Sequence, residues 1–169
     1  MSTAFESDIR VQTSDFDVGT EYLELCQRAP HSGAVVFFVG LVRDYYSEDS
    51  DDEKVEHLFL EHYPGMTESL CQKIVEQAFE QFPFDHVKVL HRVGQIMASE
   101  QIVMVAVASR HRENAFQAAQ FIMDYLKTQA TFWKKEVGSM GEQWLGVKDK
   151  DRHAQERWVI KTKLEPTGS

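Results

Sequence analysis

The stretch SRHRENAFQAAQFIMDYLKTQATFWKKE, residues 109–136, decides how the rest of the chain is read. A basic pair, His111-Arg112, stands where a helix should begin. Apolar residues follow at helical spacing: Phe116, Ala119, Ile122 with Met123, then Leu126. The stretch closes on a run that is aromatic and cationic together, Phe132-Trp133-Lys134-Lys135. A chain of 169 residues with formal net charge −9 places five of its 18 Lys and Arg residues here, namely Arg110, Arg112, Lys127, Lys134 and Lys135. That concentration points to a site for an anion. On one unbroken helix at about 100° per residue, Met123, Lys127 and Lys134 fall within roughly 40° of one another. They border an apolar face made by Ile122, Leu126 and Gln129. A lysine in that position either snorkels its ammonium to water or lines a pocket, where desolvation sharpens it as a clamp or nucleophile. The same spacing also fits a solvated helix face whose terminal cations answer the helix dipole. The β-branched Thr128 and Thr131 work against an unbroken helix as far as Lys134.

Working outward, the chain has the material for a core: 43% hydrophobic residues, with 11 Phe, three Trp and five Tyr. One domain over residues 1–169 is expected, with 159–169 as a tail. No apolar run approaches the ~20 residues that span a bilayer. The first residues, MSTAFESDIRVQTSDF, lack the apolar segment of a secretion signal. Cys26 and Cys71 stand far apart, outside any C-x-x-C spacing, so reduced thiols in a cytoplasmic protein are expected. The acidic balance argues against general binding to nucleic acid or anionic membrane, so any bound anion must meet a local basic patch. No metal or cofactor is expected: His57 and His62 lie five apart on a strand and face opposite sides of a sheet.

Residues 8–12 alternate as an edge strand, Ser14 or Asp15 could cap the helix that runs to Arg28, and Cys26 on that helix reads as a small core residue. The run GAVVFFVGLVR, 33–43, reads as a strand buried on both faces, with Gly40 marking a bulge or a close backbone approach. Arg43 ends it, either as an anion ligand or as an ordinary surface arginine. Residues 44–54, DYYSEDSDDEK, read as a loop joining this strand to 55–63 in a hairpin. A helix from Pro64 to Phe82, strands over 85–94 and 101–109, a short strand over 142–147 and a last helix near Trp158 complete the pattern. Helices interleaved singly among strands favour an α+β fold with a mixed or antiparallel sheet. His111 or Arg112 in the first turn of the organising helix would set cations beside free backbone N–H groups, or would merely cover the helix end.

The blocks GAVVFFVGLVRD (33–44), LEHYPGMTE (60–68), HRVG (91–94), SRHRENAF (109–116), FIMDYLKT (121–128) and FWKKE (132–136) together resemble the large, catalytic subunit of molybdopterin synthase, the MoaE family. The resemblance spans residues 8 to 158. It implies an α/β hammerhead-type fold and a homodimer, each copy binding one small ubiquitin-like sulfur carrier of the MoaD type to give a heterotetramer. It implies sulfur transfer from the carrier's C-terminal thiocarboxylate to cyclic pyranopterin monophosphate, which would explain why this chain has no activated cysteine motif. By matching position, Lys127 and Lys134 are implied to be catalytic. Arg43, His111 and Arg112 are implied to hold the pterin phosphate, and Phe38 and Met123 to form pocket walls. Three departures stand out: Leu41 and Thr131 replace a lysine and a proline frequent in relatives, and Lys148 replaces an arginine implied to reach the neighbouring subunit's pocket. The rival reading is a dimeric binding module for a phosphorylated ligand or acidic protein, without chemistry.

Overall fold

The computed structural model describes residues 5–44, 54–129, 132–139 and 141–164, with side chains as far as Val159. The elements run β1 (Glu6–Gln12), α1 (Val18–Arg28), β2 (Ala34–Leu41), β3 (Val55–His62), α2 (Met66–Gln81), β4 (His86–Arg92), β5 (Gly94–Met97), β6 (Gln101–Ser109), α3 (Arg112–Gln129), β7 (Phe132–Gly138), β8 (Gly141–Leu145) and α4 (Asp149–Leu164). They form two four-stranded sheets, ordered β1-β4-β6-β2 and β5-β3-β7-β8. β1 lies parallel to β4 while the other pairings are antiparallel, so the fold is the mixed α+β expected.

The alternation of β4 explains the layering around the first sheet. Val87 and Val89 face one side, where they join Val103, Val105 and Val107 of β6 against Ile74 and Ala78 of α2 and Ala118 and Ile122 of α3. Leu90 faces the other side, with Met104 and Ala106, against Phe16 and Leu25 beneath α1. Lys88 points the same way as Leu90 and is wholly buried. A buried ammonium must be paired, and Lys88 Nζ donates to Glu21 of α1 and, at 2.7 Å, to Glu24. Arg10 on β1 joins the same cluster through Glu21 and Asp8.

Several expectations change. β2 is not buried on both faces and does not pair with β3. It is an edge strand hydrogen-bonded to β6, with Phe37, Phe38 and Leu41 exposed, while β3 belongs to the second sheet. A continuous apolar run reports apolar neighbours on both faces, and here one face meets α1 and the other α3, without a strand on the free edge. The segment 45–53 lies outside the described residues, as do Thr131 and residues 165–169. Gly40 marks the bulge, since the register shifts between Gly40 and Leu41; the close approach is by a side chain and not a backbone, a Cβ there sitting 2.8 Å from Val103 Cγ1. The cap of α1 is Asp17, whose carboxylate accepts from Thr20 N–H at 2.7 Å, not Ser14 or Asp15. Cys26 is only partly buried, and Phe116 on α3 is exposed. Gly94 to Met97, read as a connection, is strand β5, which Gly94 enters at φ 80°. Helix α4 runs to Leu164, so residues 159–164, expected in the tail, belong to a helix.

The largest change concerns the organising stretch. α3 stops at Gln129, and Phe132–Gly138 is strand β7, paired with β3 and β8. Lys134 is therefore not on the helical stripe of Met123 and Lys127. Replacing Lys88 with Met should destabilise the fold by about 2 kcal/mol, because the buried Glu21 carboxylate loses one of its two cationic partners and keeps only Arg10. Urea unfolding of the single variant and of Lys88→Met/Glu21→Leu checks this. The double variant should recover most of the loss, and equal loss in both would refute the pairing.

Candidate active site

Breaking the helix at Gln129 does not separate the lysines; it brings them face to face. A cavity of about 670 Å³ lies between the C-terminal half of α3, the end of β2, β7 with β8, and the start of α4. α3 contributes Met123, Leu126 and Lys127. β2 contributes Phe38, and beyond its end Arg43. In β7, Phe132, Lys134 and Glu136 recur at spacing two and so share one face of the strand. All three line the cavity, backed by their β3 partners His62, Leu60 and Leu58. Lys148 and Asp151 close it from the start of α4. That helix is fixed against α3 by Trp158, whose indole N–H donates to Asp124 Oδ2 at 2.8 Å, and by Arg157, 3.5 Å from the same oxygen.

The electrostatics follow from crowding cations where water is scarce. Burial lowers the Lys134 pKa below that of an ordinary lysine; Lys127 and Lys148 push it further down, and Asp151 and Glu136 oppose them. Burial raises the Glu136 carboxyl above its usual range, although Lys148, Arg43 and Lys134 all pull it back. Lys127 Nζ stands 3.8 Å from Asp151 Oδ1, a half-exposed contact that contributes little. His91, at the end of β4, also lines the cavity; burial drives its pKa down to about 3, against a hydrogen bond to the Arg92 carbonyl.

Of the residues singled out in the sequence, Phe38, Arg43, Met123, Lys127, Lys134 and Lys148 meet here. Lys148 lines the cavity of its own chain, where the resemblance implied the neighbour's. His111 and Arg112 do not line it. They are exposed at the opposite end of α3, and 15 helical residues separate Arg112 from Lys127, a rise of about 22 Å. Glu136, Asp151 and His91 were missed. Reading 132–136 with period two instead of as helix would have paired Glu136 with Lys134; nothing in the sequence signalled His91 beyond its place in the alternating strand 85–94.

A depressed amine is a reactive amine. At pH 8, reductive methylation should modify Lys134 several-fold faster than its neighbour Lys135, which is paired with Glu142 at 3.1 Å on the opposite face of β7. Mass spectrometry of the 132–138 peptide reads the ratio; Lys135 reacting first would contradict the desolvated placement of Lys134.

Comparison with known proteins gives a consistent result. A family model described as MoaE protein matches residues 11–129. The chain is 47% identical over 150 residues to a molybdopterin synthase catalytic subunit of Vibrio cholerae serotype O1, covering 89% of this chain and 97% of that protein. It is 46% identical over 153 residues to the protein of the same name in Escherichia coli K12, covering 90% and 99%. The structure resembles the molybdopterin biosynthesis MoaE protein from Burkholderia ambifaria MC40-6 with a TM-score of 0.77 and 44% identity, covering 90% of this chain and 98% of that one.

Proposed function

The chain belongs to the MoaE family and serves as a molybdopterin synthase catalytic subunit, and from that premise we propose how its cavity carries the reaction. It transfers sulfur from the C-terminal thiocarboxylate of a small MoaD-type carrier to cyclic pyranopterin monophosphate, building the dithiolene of molybdopterin. Both reactants bring negative charge. The observation that carries the residue assignment is the convergence of Arg43, Lys127, Lys134 and Lys148 on one cavity of a protein with net charge −9.

Lys127, at the accessible rim, receives the carrier's terminus and stabilises the charge that shifts as sulfur moves to the pterin. Lys134, deeper and desolvated, holds the same charge where screening is weak, so its interaction strengthens as charge develops. Each transfer makes a carbon–sulfur bond to the pterin as that carbon's bond to oxygen breaks, the oxygen leaving as the phosphate ester oxygen or as water. Water then cleaves the acyl–sulfur bond and the carrier leaves with a carboxylate. Phe38 and Met123 supply apolar walls, and Arg43 with Lys148 meets the phosphate. His111 and Arg112 cannot join their own chain's cavity from the far end of α3. In a homodimer a second copy supplies them, so each site draws on two chains. The partly buried Cys26 and buried Cys71 thiols are free, which fits a cytoplasmic setting, and no helix among the described residues is long and apolar enough to cross a membrane.

Purified protein, thiocarboxylated carrier and cyclic pyranopterin monophosphate should yield molybdopterin, read as its fluorescent oxidation product. Lys127→Ala should cut the rate at least about 100-fold, the order seen when a charge-stabilising group is removed, while the complex with the carrier survives. Wild type that forms no molybdopterin, with Lys127→Ala losing affinity for the carrier, would instead favour a binding module. A mixing experiment tests the second copy's role. Lys127→Ala and Arg112→Ala subunits, inactive alone, should regain activity when refolded together, because one site of each hybrid then holds both residues. Persistent inactivity would place Arg112 and Lys127 in the service of the same chain.

A further inference from the structure

Among the groups lining the cavity, His91 is the one the charge-based account leaves unused. It is 7% exposed and sits at the end of β4, where the chain leaves the first sheet for the second. Its ring is clamped: it stacks on Phe132 of β7 with centroids 3.8 Å apart and planes 14° from parallel. Its Nδ1 lies 2.8 Å from the Arg92 carbonyl oxygen. A carbonyl only accepts, so the proton of the neutral ring is on Nδ1 and Nε2 carries a bare lone pair. Among the described residues nothing donates to that nitrogen. With one face covered by Phe132 and the Nδ1 edge turned to the backbone, the Nε2 edge is left to the cavity.

The surroundings hold the ring neutral. Lys134 lies two residues beyond Phe132 on the same face of β7, about 7 Å along the strand. His62 of β3 is the register partner of Phe132. The positive charge of Lys134 and the neighbouring imidazole of His62 both disfavour an imidazolium here, on top of the burial. The cavity's other charged side chains are the cations Arg43, Lys127, Lys134, Lys148 and Lys150 and, as charged acceptors set among them, the carboxylates of Glu136 and Asp151. The cations cannot accept a hydrogen bond. A neutral, fixed acceptor in such a place reads a donor on the bound molecule.

We propose that His91 is a substrate-binding residue whose Nε2 accepts a hydrogen bond from an N–H or O–H of the pterin substrate, orienting its ring system while the cations hold its phosphate. The assignment rests on the synthase reading above and adds a specificity contact to it. Ligands offering phosphate without a ring donor should bind the cations and leave His91 unsatisfied.

The test uses the full protein with thiocarboxylated carrier, comparing wild type, His91→Phe and His91→Gln. Phe keeps the stack on Phe132 and removes the acceptor; Gln restores an acceptor near the position of Nε2. His91→Phe should lose about 10- to 100-fold in kcat/KM, mostly through KM for cyclic pyranopterin monophosphate, with carrier affinity and thermal stability near wild type. His91→Gln should recover most of that loss. Nitrogen-15 spectra of the wild type should show the Nδ1–H tautomer, with the Nε2 resonance shifting on addition of the pterin and staying put with inorganic phosphate. Equal kinetics in all three proteins, equal losses in Phe and Gln, or an Nε2 resonance indifferent to the pterin would each overturn the contact while leaving the synthase reading intact. A wild type that binds carrier yet neither binds nor converts the pterin would overturn the synthase reading and this proposal with it.

Discussion

A partly buried lysine ammonium crowded by other cations is the constraint on which this structure turns. Lys134 is surrounded by Lys127, Lys148 and Arg43 on cavity walls contributed by a helix, a strand end and a second helix. Each of those cations would relax toward solvent if its backbone let it. The rigid parts do not: α3 is packed along the first sheet through Ala118, Ile122 and Leu126, and β7 is hydrogen-bonded on both sides. The repulsion is therefore tolerated by packing energy gathered elsewhere, and what remains is a field of fixed positive charge waiting for an anion. Glu136 and Asp151 temper that field without cancelling it, since two carboxylates face the five cations Arg43, Lys127, Lys134, Lys148 and Lys150.

The turn between α3 and β7 is the device that makes this possible, and it is also where the sequence was hardest to read. The helical period from Phe116 to Leu126 is clear, and α3 spans it from Arg112 to Gln129. Residues 132–138 are too short and too mixed in polarity to declare a strand: Trp133 and Lys135 face outward, and Lys135 lies over the Phe59 and Trp144 rings at 5.8 and 5.6 Å. Both faces thus carry aromatic and charged residues, so neither period stands out, and pairing to β3 and β8 decides the outcome. The lysines were found in the sequence for a partly wrong reason. Their cationic character and proximity to an apolar wall are real, but the shared helical stripe is not.

Other misreadings have the same origin. The apolar composition of 33–43 is legible, yet composition cannot tell an edge strand from a central one, because both faces of β2 meet helices or the cavity regardless. β5 is four residues long and gains its identity from β3 alone. Lys88 shows the limit from the other direction: a lysine in a short strand carries no mark of burial in the sequence, and only the arrival of Glu21 and Glu24 on α1 allows it. His111 and Arg112 mark a further limit: their basic character at the start of α3 is legible, yet the fold leaves both outside the cavity that gathers the other candidate residues.

Along β7 the cavity acquires a direction. Successive inward residues are Phe132, Lys134 and Glu136, each about 7 Å from the next. At the first, an aromatic ring backs the bare nitrogen of His91; at the second stands the desolvated ammonium; at the third, a carboxyl that burial pushes toward its protonated form, near Arg43 and Lys148. A strand delivers this ordering because its period is two and its backbone is fixed by partners on both sides. A helix carrying the same residues would have spread them around its circumference. An acceptor, a cation and a weak acid in line present different chemistry to the two ends of one ligand. The cavity wall along β7 is therefore chemically polar from end to end, so the two ends of an elongated ligand meet different groups.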